Sequence, residues 1–122
     1  MPKTIQPSSF VQQAHQKVLE TSSLGDTSDF DRVHRGFIAT RKDPLIKNAD
    51  ESIAMDLHWF EFIEGAAPPS VNPSLWRQCQ LNRTHGLYKV IDGIYQVRGF
   101  DIANMTIVAS DNGLCRFSKN GR

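Results

Sequence analysis

The stretch that decides the fold is Leu87-Tyr-Lys-Val-Ile-Asp-Gly-Ile-Tyr-Gln-Val-Arg98. Two apolar-rich runs flank Asp92-Gly93, a dipeptide that a type I′ turn favours because both central residues take positive φ. The pattern therefore predicts a β-hairpin. A second hairpin is predicted downstream, where residues 105–109 and 114–117 flank Asp111-Asn112-Gly113.

The sequence before these hairpins carries three helix signals. Ser9-Phe-Val-Gln12 matches a capping box, and apolar residues then recur at helical spacing, which predicts an amphipathic helix over residues 10–22. Asp56 is predicted to cap a short helix that presents Leu57, Phe60 and Ile63 on one face.

The third signal is Asn72-Pro73, an N-cap followed by proline at the first helical position. This helix is predicted to bury a stripe formed by Leu75, Trp76 and Cys79. Residues 25–36 and 41–51 are rich in polar and turn residues. We predict an ordered loop or an extended arm for the first and a polar connecting loop for the second. The predicted fold class is therefore α+β.

We divide the chain into four parts on these patterns. They are an N-terminal arm with an amphipathic helix (1–27), a proline-rich arm with short helices (28–86), the β-hairpins (87–117) and a polar tail (118–122).

Composition excludes several classes of function for this chain of 122 residues. Fourteen Lys and Arg residues oppose thirteen Asp and Glu residues, so the net charge of +1 predicts no nucleic-acid binding by phosphate neutralisation. No apolar run approaches the roughly 20 residues of a membrane span. The start carries no apolar signal segment, so we expect a cytoplasmic location.

The residues suited to catalysis or metal binding are scattered. None of the histidines has a partner at the spacing typical of zinc ligands, although a site assembled from distant residues stays open. The carboxylate pairs are typical of solvated surfaces, and Cys79 is more typical of a buried helix residue than of a nucleophile. The residues considered are His15, His34, His58, His85, Asp29, Asp31, Glu61, Glu64, Cys79 and Cys115.

Six blocks of sequence make the chain recognisable when they are taken in order. They are Phe30-Asp-Arg-Val-His-Arg-Gly-Phe-Ile-Ala39, Ile46-Lys-Asn-Ala-Asp50, Ala67-Pro-Pro-Ser-Val-Asn-Pro-Ser-Leu-Trp-Arg-Gln78, His85-Gly86-Leu87, Val90-Ile-Asp-Gly-Ile-Tyr-Gln-Val-Arg-Gly-Phe-Asp101 and Asn104-Met-Thr106. From Ser28 to about Gly113 the chain closely resembles the N-terminal stretch of the alkyl sulfatases of the metallo-β-lactamase superfamily.

This resemblance implies an incomplete portion of an αββα sandwich. Residues 87–98 would supply its first hairpin, residues 105–109 the next strand, and residues 28–80 an arm that packs on the sandwich or across a dimer. Full-length relatives hydrolyse alkyl sulfate esters such as dodecyl sulfate with two zinc ions. A chain with so few strands is expected to leave an open sheet edge and an uncovered apolar face.

The sequence departs from the family after Gly113, where it reads Leu114-Cys-Arg-Phe-Ser-Lys-Asn-Gly-Arg122. In the family this strand stays apolar and ends in an aspartate, and the metal motif His-x-His-x-Asp-His lies further downstream. The resemblance therefore carries no catalytic or metal residue onto this chain, and it leaves substrate-binding residues unknown. We expect no cofactor in this chain.

Three functional hypotheses follow. The first is a truncated N-terminal fragment of a zinc-dependent alkyl sulfatase, inactive alone and shortened by a frameshift or stop after Gly113. The second is a non-catalytic assembly module that pairs with a full-length relative or forms a homodimer. The third is a small independent enzyme that uses Cys79, Cys115 and the histidines.

Overall fold

The computed structural model describes residues 6–101 and 103–118. The helices within these ranges are α1 (Ser9–Thr21), α2 (Ser28–Val33) and α3 (Pro73–Asn82), with a 3-10 helix at Leu57–Phe60. The strands are β1 (Phe37–Ala39), β2 (Leu45–Lys47), β3 (Ile53–Asp56), β4 (Gly86–Ile91), β5 (Ile94–Arg98), β6 (Met105–Ser110) and β7 (Gly113–Ser118). Most of the tail predicted at 118–122 lies outside the described residues.

Four strands from the second half of the chain and β1 from the first half form one antiparallel sheet, in the order β1-β4-β5-β6-β7. Strands β2 and β3 form a separate antiparallel pair. Both predicted hairpins are confirmed as β4–β5 and β6–β7. The predicted α+β class is confirmed as well.

The first hairpin turns at Asp92-Gly93 as predicted, but the predicted type I′ is wrong, because Asp92 does not share the positive φ of Gly93. Gly93 adopts a φ of 77°, in the left-handed region that favours glycine. An ion pair between Lys89 and Asp92 spans the turn, and the Lys89 ammonium holds the pKa of the Asp92 carboxyl below its usual value. The Gly93 carbonyl also accepts a hydrogen bond of 2.7 Å from the Ala109 N–H, which ties the turn to β6.

The first predicted helix is confirmed as α1, but its predicted cap is wrong. The hydroxyl of Ser8, one residue earlier than predicted, accepts a hydrogen bond of 3.4 Å from the Val11 N–H. The Gln12 side chain does not close a capping box with Ser9, because its amide donates to the Pro7 carbonyl at 2.9 Å.

The helix predicted at Asn72-Pro73 is confirmed as α3. The Asn72 Oδ1 accepts hydrogen bonds from the N–H groups of Ser74 and Leu75, at 2.9 Å and 3.3 Å. Asp56 also caps as predicted, accepting from the His58 N–H at 3.0 Å. The element that follows is a four-residue 3-10 helix, which is shorter than the predicted helix.

Both predicted loops contain regular structure, so those predictions are wrong. Helix α2 lies inside residues 25–36, and β2 lies inside residues 41–51. Strand β2 pairs with the nearby β3, whereas α2 is stabilised by a distant residue. The Arg77 Nη2 donates to the Asp26 carbonyl at 2.7 Å and to the Asp29 Oδ2 at 3.0 Å, which holds α2 against α3.

Few apolar side chains of the described chain are buried: Leu57, Ile63, Pro73, Trp76 and Tyr88. Trp76 is buried as predicted, and its indole N–H donates to the Gly65 carbonyl at 3.0 Å. Leu75, predicted to share that stripe, is instead 57% exposed because its side chain lies off the buried face. Tyr88 is fully buried, with the Arg98 guanidinium 4.7 Å from its ring centroid and the Phe37 ring at 5.6 Å.

The large sheet is apolar on both faces yet largely uncovered. Leu87, Val97 and Met105 lie opposite one another in one row, and no member of that row is buried. The other face carries a row formed by Ile94, Val108 and Cys115, which is not buried either. A sheet with two apolar faces is typical of the inner layer of a layered domain, so this chain presents only part of such a domain.

Substitution of Gly36 by alanine is expected to destabilise the fold. Gly36 has a φ of 75°, and an added Cβ would collide with the Lys89 backbone carbonyl. We expect G36A to lower the free energy of unfolding by about 2 kcal/mol or more, as measured by urea denaturation. The matched control is G25A, because a Cβ at Gly25 meets no atom within 4 Å. Equal effects of the two substitutions would contradict the β1–β4 packing.

The two tryptophans are expected to differ in their fluorescence. Trp59 is 70% exposed, whereas Trp76 is 8% exposed. In a W59F variant the remaining Trp76 should emit at shorter wavelength and resist acrylamide quenching, because solvent does not reach the indole. In W76F the remaining Trp59 should be quenched readily. Similar quenching constants in both variants would show that Trp76 is not packed against Gly65.

Candidate functional site

One cavity is lined by four of the candidate residues from the sequence analysis. It has a volume of about 650 Å³ and lies between the helical part and the start of β4. Phe37, Leu57 and Phe60 form its apolar wall. Its polar lining residues are His34, Glu61, Glu64, Arg83, Thr84 and His85. Two of the four histidines and one of the predicted carboxylate pairs therefore share this cavity.

The carboxylate side of the cavity is already paired with a cation. Arg83 follows α3, and its guanidinium contacts the Glu64 Oε1 at 3.2 Å and the Glu61 carbonyl at 3.3 Å. The Glu64 side chain is 70% exposed, so this ion pair contributes little to stability. The Glu64 carboxylate is therefore part of a solvent-exposed ion pair with Arg83.

His85 forms the shortest polar contact in this region. Its Nδ1 lies 2.6 Å from the Thr40 Oγ1, and which atom donates depends on the tautomer of the ring. A hydroxyl beside an imidazole is the first half of a nucleophile–base arrangement, but a third group must orient the base. The ring instead packs against Phe100, with centroids 5.2 Å apart.

The contact between Thr40 and His85 therefore has a structural role, because it connects two segments that are distant in sequence. It joins the residue after β1 to the residue before β4, and so supports the pairing of those strands. Sequence analysis did not single out Thr40. No local signal marks it, because its partner lies 45 residues away.

The other two histidines, His15 and His58, do not line this cavity. The His15 Nδ1 on α1 contacts the Pro69 carbonyl at 3.0 Å, and the His58 Nδ1 contacts the Asp56 Oδ1 at 2.8 Å. Across residues 6–101 and 103–118, no group of three His, Cys, Asp or Glu side chains is placed to hold a metal ion. The described side chains thus do not fit a two-zinc centre.

The two cysteines and Asp29 do not line the cavity that holds His34 and His85. Both cysteines are free thiols, with Cys79 half-buried on α3 and Cys115 exposed on β7. Cys79 lines a second cavity, none of whose lining residues is a histidine. Asp29 is engaged by Arg32 at 3.2 Å and by Arg77 at 3.0 Å.

Two carboxylates at turns, Asp26 and Asp50, have a lowered pKa that is caused by local hydrogen bonds. The Ser28 N–H donates to the Asp26 Oδ1 at 2.8 Å and lowers the pKa of Asp26, and hydrogen bonds from the Ser52 hydroxyl and N–H lower the pKa of Asp50. Burial raises the pKa of the Tyr88 phenol. These groups stabilise turns and the core, and none of them lines the cavity that holds His34 and His85.

In the part of the chain that the structure describes, no helix combines the length and apolarity of a bilayer span.

Comparison with known proteins identifies the relatives of this chain. An alkyl/aryl-sulfatase of Saccharomyces cerevisiae is 40% identical over 113 residues, covering 92% of this chain and 17% of that protein. A linear primary-alkylsulfatase of Pseudomonas sp. is 44% identical over 106 residues, covering 85% of this chain and 16% of that protein. The similarity thus reaches beyond residues 28–113. No protein-family model matches the chain.

The solved structures give the same result. The stereoselective inverting sec-alkylsulfatase of Pseudomonas sp. superposes with a TM-score of 0.83 at 38% identity, covering 93% of this chain and 18% of that one. This chain spans less than a fifth of the length of the relatives that it matches. The chain is therefore similar, in sequence and in fold, to the N-terminal part of the alkyl sulfatases of the metallo-β-lactamase superfamily.

Proposed function

We propose that this chain is the N-terminal segment of a zinc-dependent alkyl sulfatase and does not hydrolyse alkyl sulfates by itself. The observation that carries the proposal is the combination of a TM-score of 0.83 with coverage of only 18% of the matched sec-alkylsulfatase. The matched 93% of this chain has the geometry of a corresponding part of a much longer protein.

The chemistry of the reaction supports inactivity of the segment alone. A two-metal hydrolytic centre needs several histidine and carboxylate ligands that converge on both ions, one of which activates a water molecule. In this chain His34 and His85 share a cavity, but His15 and His58 are held elsewhere by Pro69 and Asp56. We infer that the ligands come from polypeptide beyond this segment.

The contribution of the segment in this proposal is structural. Strands β4 to β7 form a continuous antiparallel layer, and α3 with the 3-10 helix forms a small buried cluster beside it. Both faces of that layer offer apolar rows to further elements. The segment would therefore serve as part of the scaffold on which the catalytic residues of an alkyl sulfatase are placed.

The purified chain is expected to release no sulfate from dodecyl sulfate above the rate of a protein-free sample. Zinc bound after dialysis should stay well below one ion per chain, because the histidines do not converge. The linear primary-alkylsulfatase of Pseudomonas sp. serves as the active control. Turnover with stoichiometric zinc that H85A abolishes would contradict the proposal and would favour an independent enzyme.

We also propose a second candidate function, a non-catalytic module that assembles with a full-length relative. The observation that favours it is the number of large apolar side chains left exposed, including Trp59, Phe62, Leu114 and Phe117 at 62–73% exposure. Exposed apolar surface of this extent is typical of interaction sites.

The second candidate is tested by co-purification. A tagged form of this chain, mixed with the full-length linear primary-alkylsulfatase, should retain it at a fixed ratio through size-exclusion chromatography. An unrelated protein of similar mass provides the control for non-specific adsorption. Separate elution of the two chains would exclude the assembly role and would leave the first proposal intact.

A further inference from the structure

A third cavity lies between α1 and α3, and it shares no lining residue with the cavity that holds His34 and His85. Its volume is about 460 Å³, within the range of about 300–1,000 Å³ that is typical of small-molecule sites. The wall is mostly apolar, and its apolar side chains include Leu19, Leu24, Phe30, Ala67, Val71 and Trp76. A wall of this composition favours a ligand with an aliphatic body.

The three glutamines of this cavity make side-chain hydrogen bonds as donors. The Gln12 amide donates to the Pro7 carbonyl at 2.9 Å, and the Gln16 amide donates to the Glu20 carboxylate at 3.0 Å. The Gln80 amide donates to a backbone carbonyl at 2.9 Å. Each amide also carries an oxygen that can only accept. The glutamines are therefore better suited to accept a hydrogen bond from a ligand than to donate one.

His15 and Arg77 also line this cavity, and both have donor groups engaged within the chain. The His15 Nδ1 lies 3.0 Å from the Pro69 carbonyl. Because a carbonyl oxygen can only accept, Nδ1 carries the proton, and Nε2 of the neutral ring is an acceptor. The Arg77 guanidinium is paired with the Asp29 carboxylate at 3.0 Å, and no Asp or Glu is among the described lining residues. With His15 neutral, the described lining offers a ligand no unpaired cation and no carboxylate.

We propose that this cavity binds a neutral straight-chain aliphatic alcohol. The alkyl chain lies against the apolar wall, and the hydroxyl donates to an acceptor supplied by His15 or by a glutamine amide. An alkyl sulfate or a fatty carboxylate fits less well. Moving an anion out of water into an apolar cavity is costly unless a cation or several donors pair with it.

This inference goes beyond the proposed function, because binding of an alcohol requires neither zinc nor turnover. Water and an alkyl sulfate ester give an alcohol and hydrogen sulfate, so the cavity accepts the product class of the proposed reaction in preference to its substrate. A chain that releases no sulfate can still bind the alcohol. Failure to bind the alcohol would leave the similarity to alkyl sulfatases unchanged.

The first test is a titration of the W59F variant with 1-octanol. Trp76 lines the cavity and is then the sole tryptophan, so its emission reports occupancy. We expect a saturable change in emission, and calorimetry should give one site per chain with a negative heat-capacity change, because apolar surface is buried on binding. Octyl sulfate and octanoate, below the concentrations at which they form micelles, should bind about tenfold more weakly or worse.

The second test fills the cavity. A67L adds volume at a lining position and is expected to raise the dissociation constant for 1-octanol about tenfold. A54L is the matched control, because Ala54 lies on β3 and does not line this cavity. L19S removes apolar wall at an exposed position of α1 and should also weaken binding.

Far-UV circular dichroism identifies a variant that fails to fold, and L19S then decides in place of A67L. The absence of a saturable response to 1-octanol would overturn the proposal. Binding of octyl sulfate or octanoate as tightly as 1-octanol would overturn it as well, and so would equal effects of A67L and A54L in folded chains.

Discussion

The pairing of β4 on both of its sides is the constraint on which the rest of the structure depends. Strand β5 reaches β4 through a two-residue turn, whereas β1 reaches it from about 50 residues earlier in the chain. The Lys89 N–H donates to the Gly36 carbonyl at 2.7 Å, so the junction of α2 with β1 is fixed to the sheet. Tyr88, the most deeply buried large side chain described, lies at the centre of this pairing.

The helical part is connected to β4 and its neighbours mainly by hydrogen bonds and ion pairs. The contact of Thr40 with His85 anchors the segment after β1, and the contacts of Arg77 with Asp26 and Asp29 anchor α2 to α3. Burial is concentrated at Trp76, Ile63 and Leu57, so the apolar cluster is small. Because the sheet faces remain largely open, the chain has the organisation of a part of a larger layered domain, in agreement with its 18% coverage of a sec-alkylsulfatase.

Sequence reasoning succeeded where the signal is local. The hairpin turn at Asp92-Gly93, the Asn72-Pro73 helix start and the Asp56 cap each depend on residues within a few positions. All three form where the sequence predicts them, although the turn is not of type I′. It failed where an element is stabilised from a distance, as α2 is by Arg77 and β1 is by β4. The cavity that joins His34 with His85 was also missed, because its lining comes from four separate segments.

The amino-acid sequence by itself determined the two hairpins, the principal helices and the family, because turn chemistry, capping and long blocks of matching residues act without knowledge of the fold. The tertiary structure decided which candidate residues meet. It placed His34 and His85 in one cavity, turned Glu64 toward Arg83, and paired β1 with β4. The physical reason is that side chains distant in sequence interact only after backbone pairing and burial have fixed their positions.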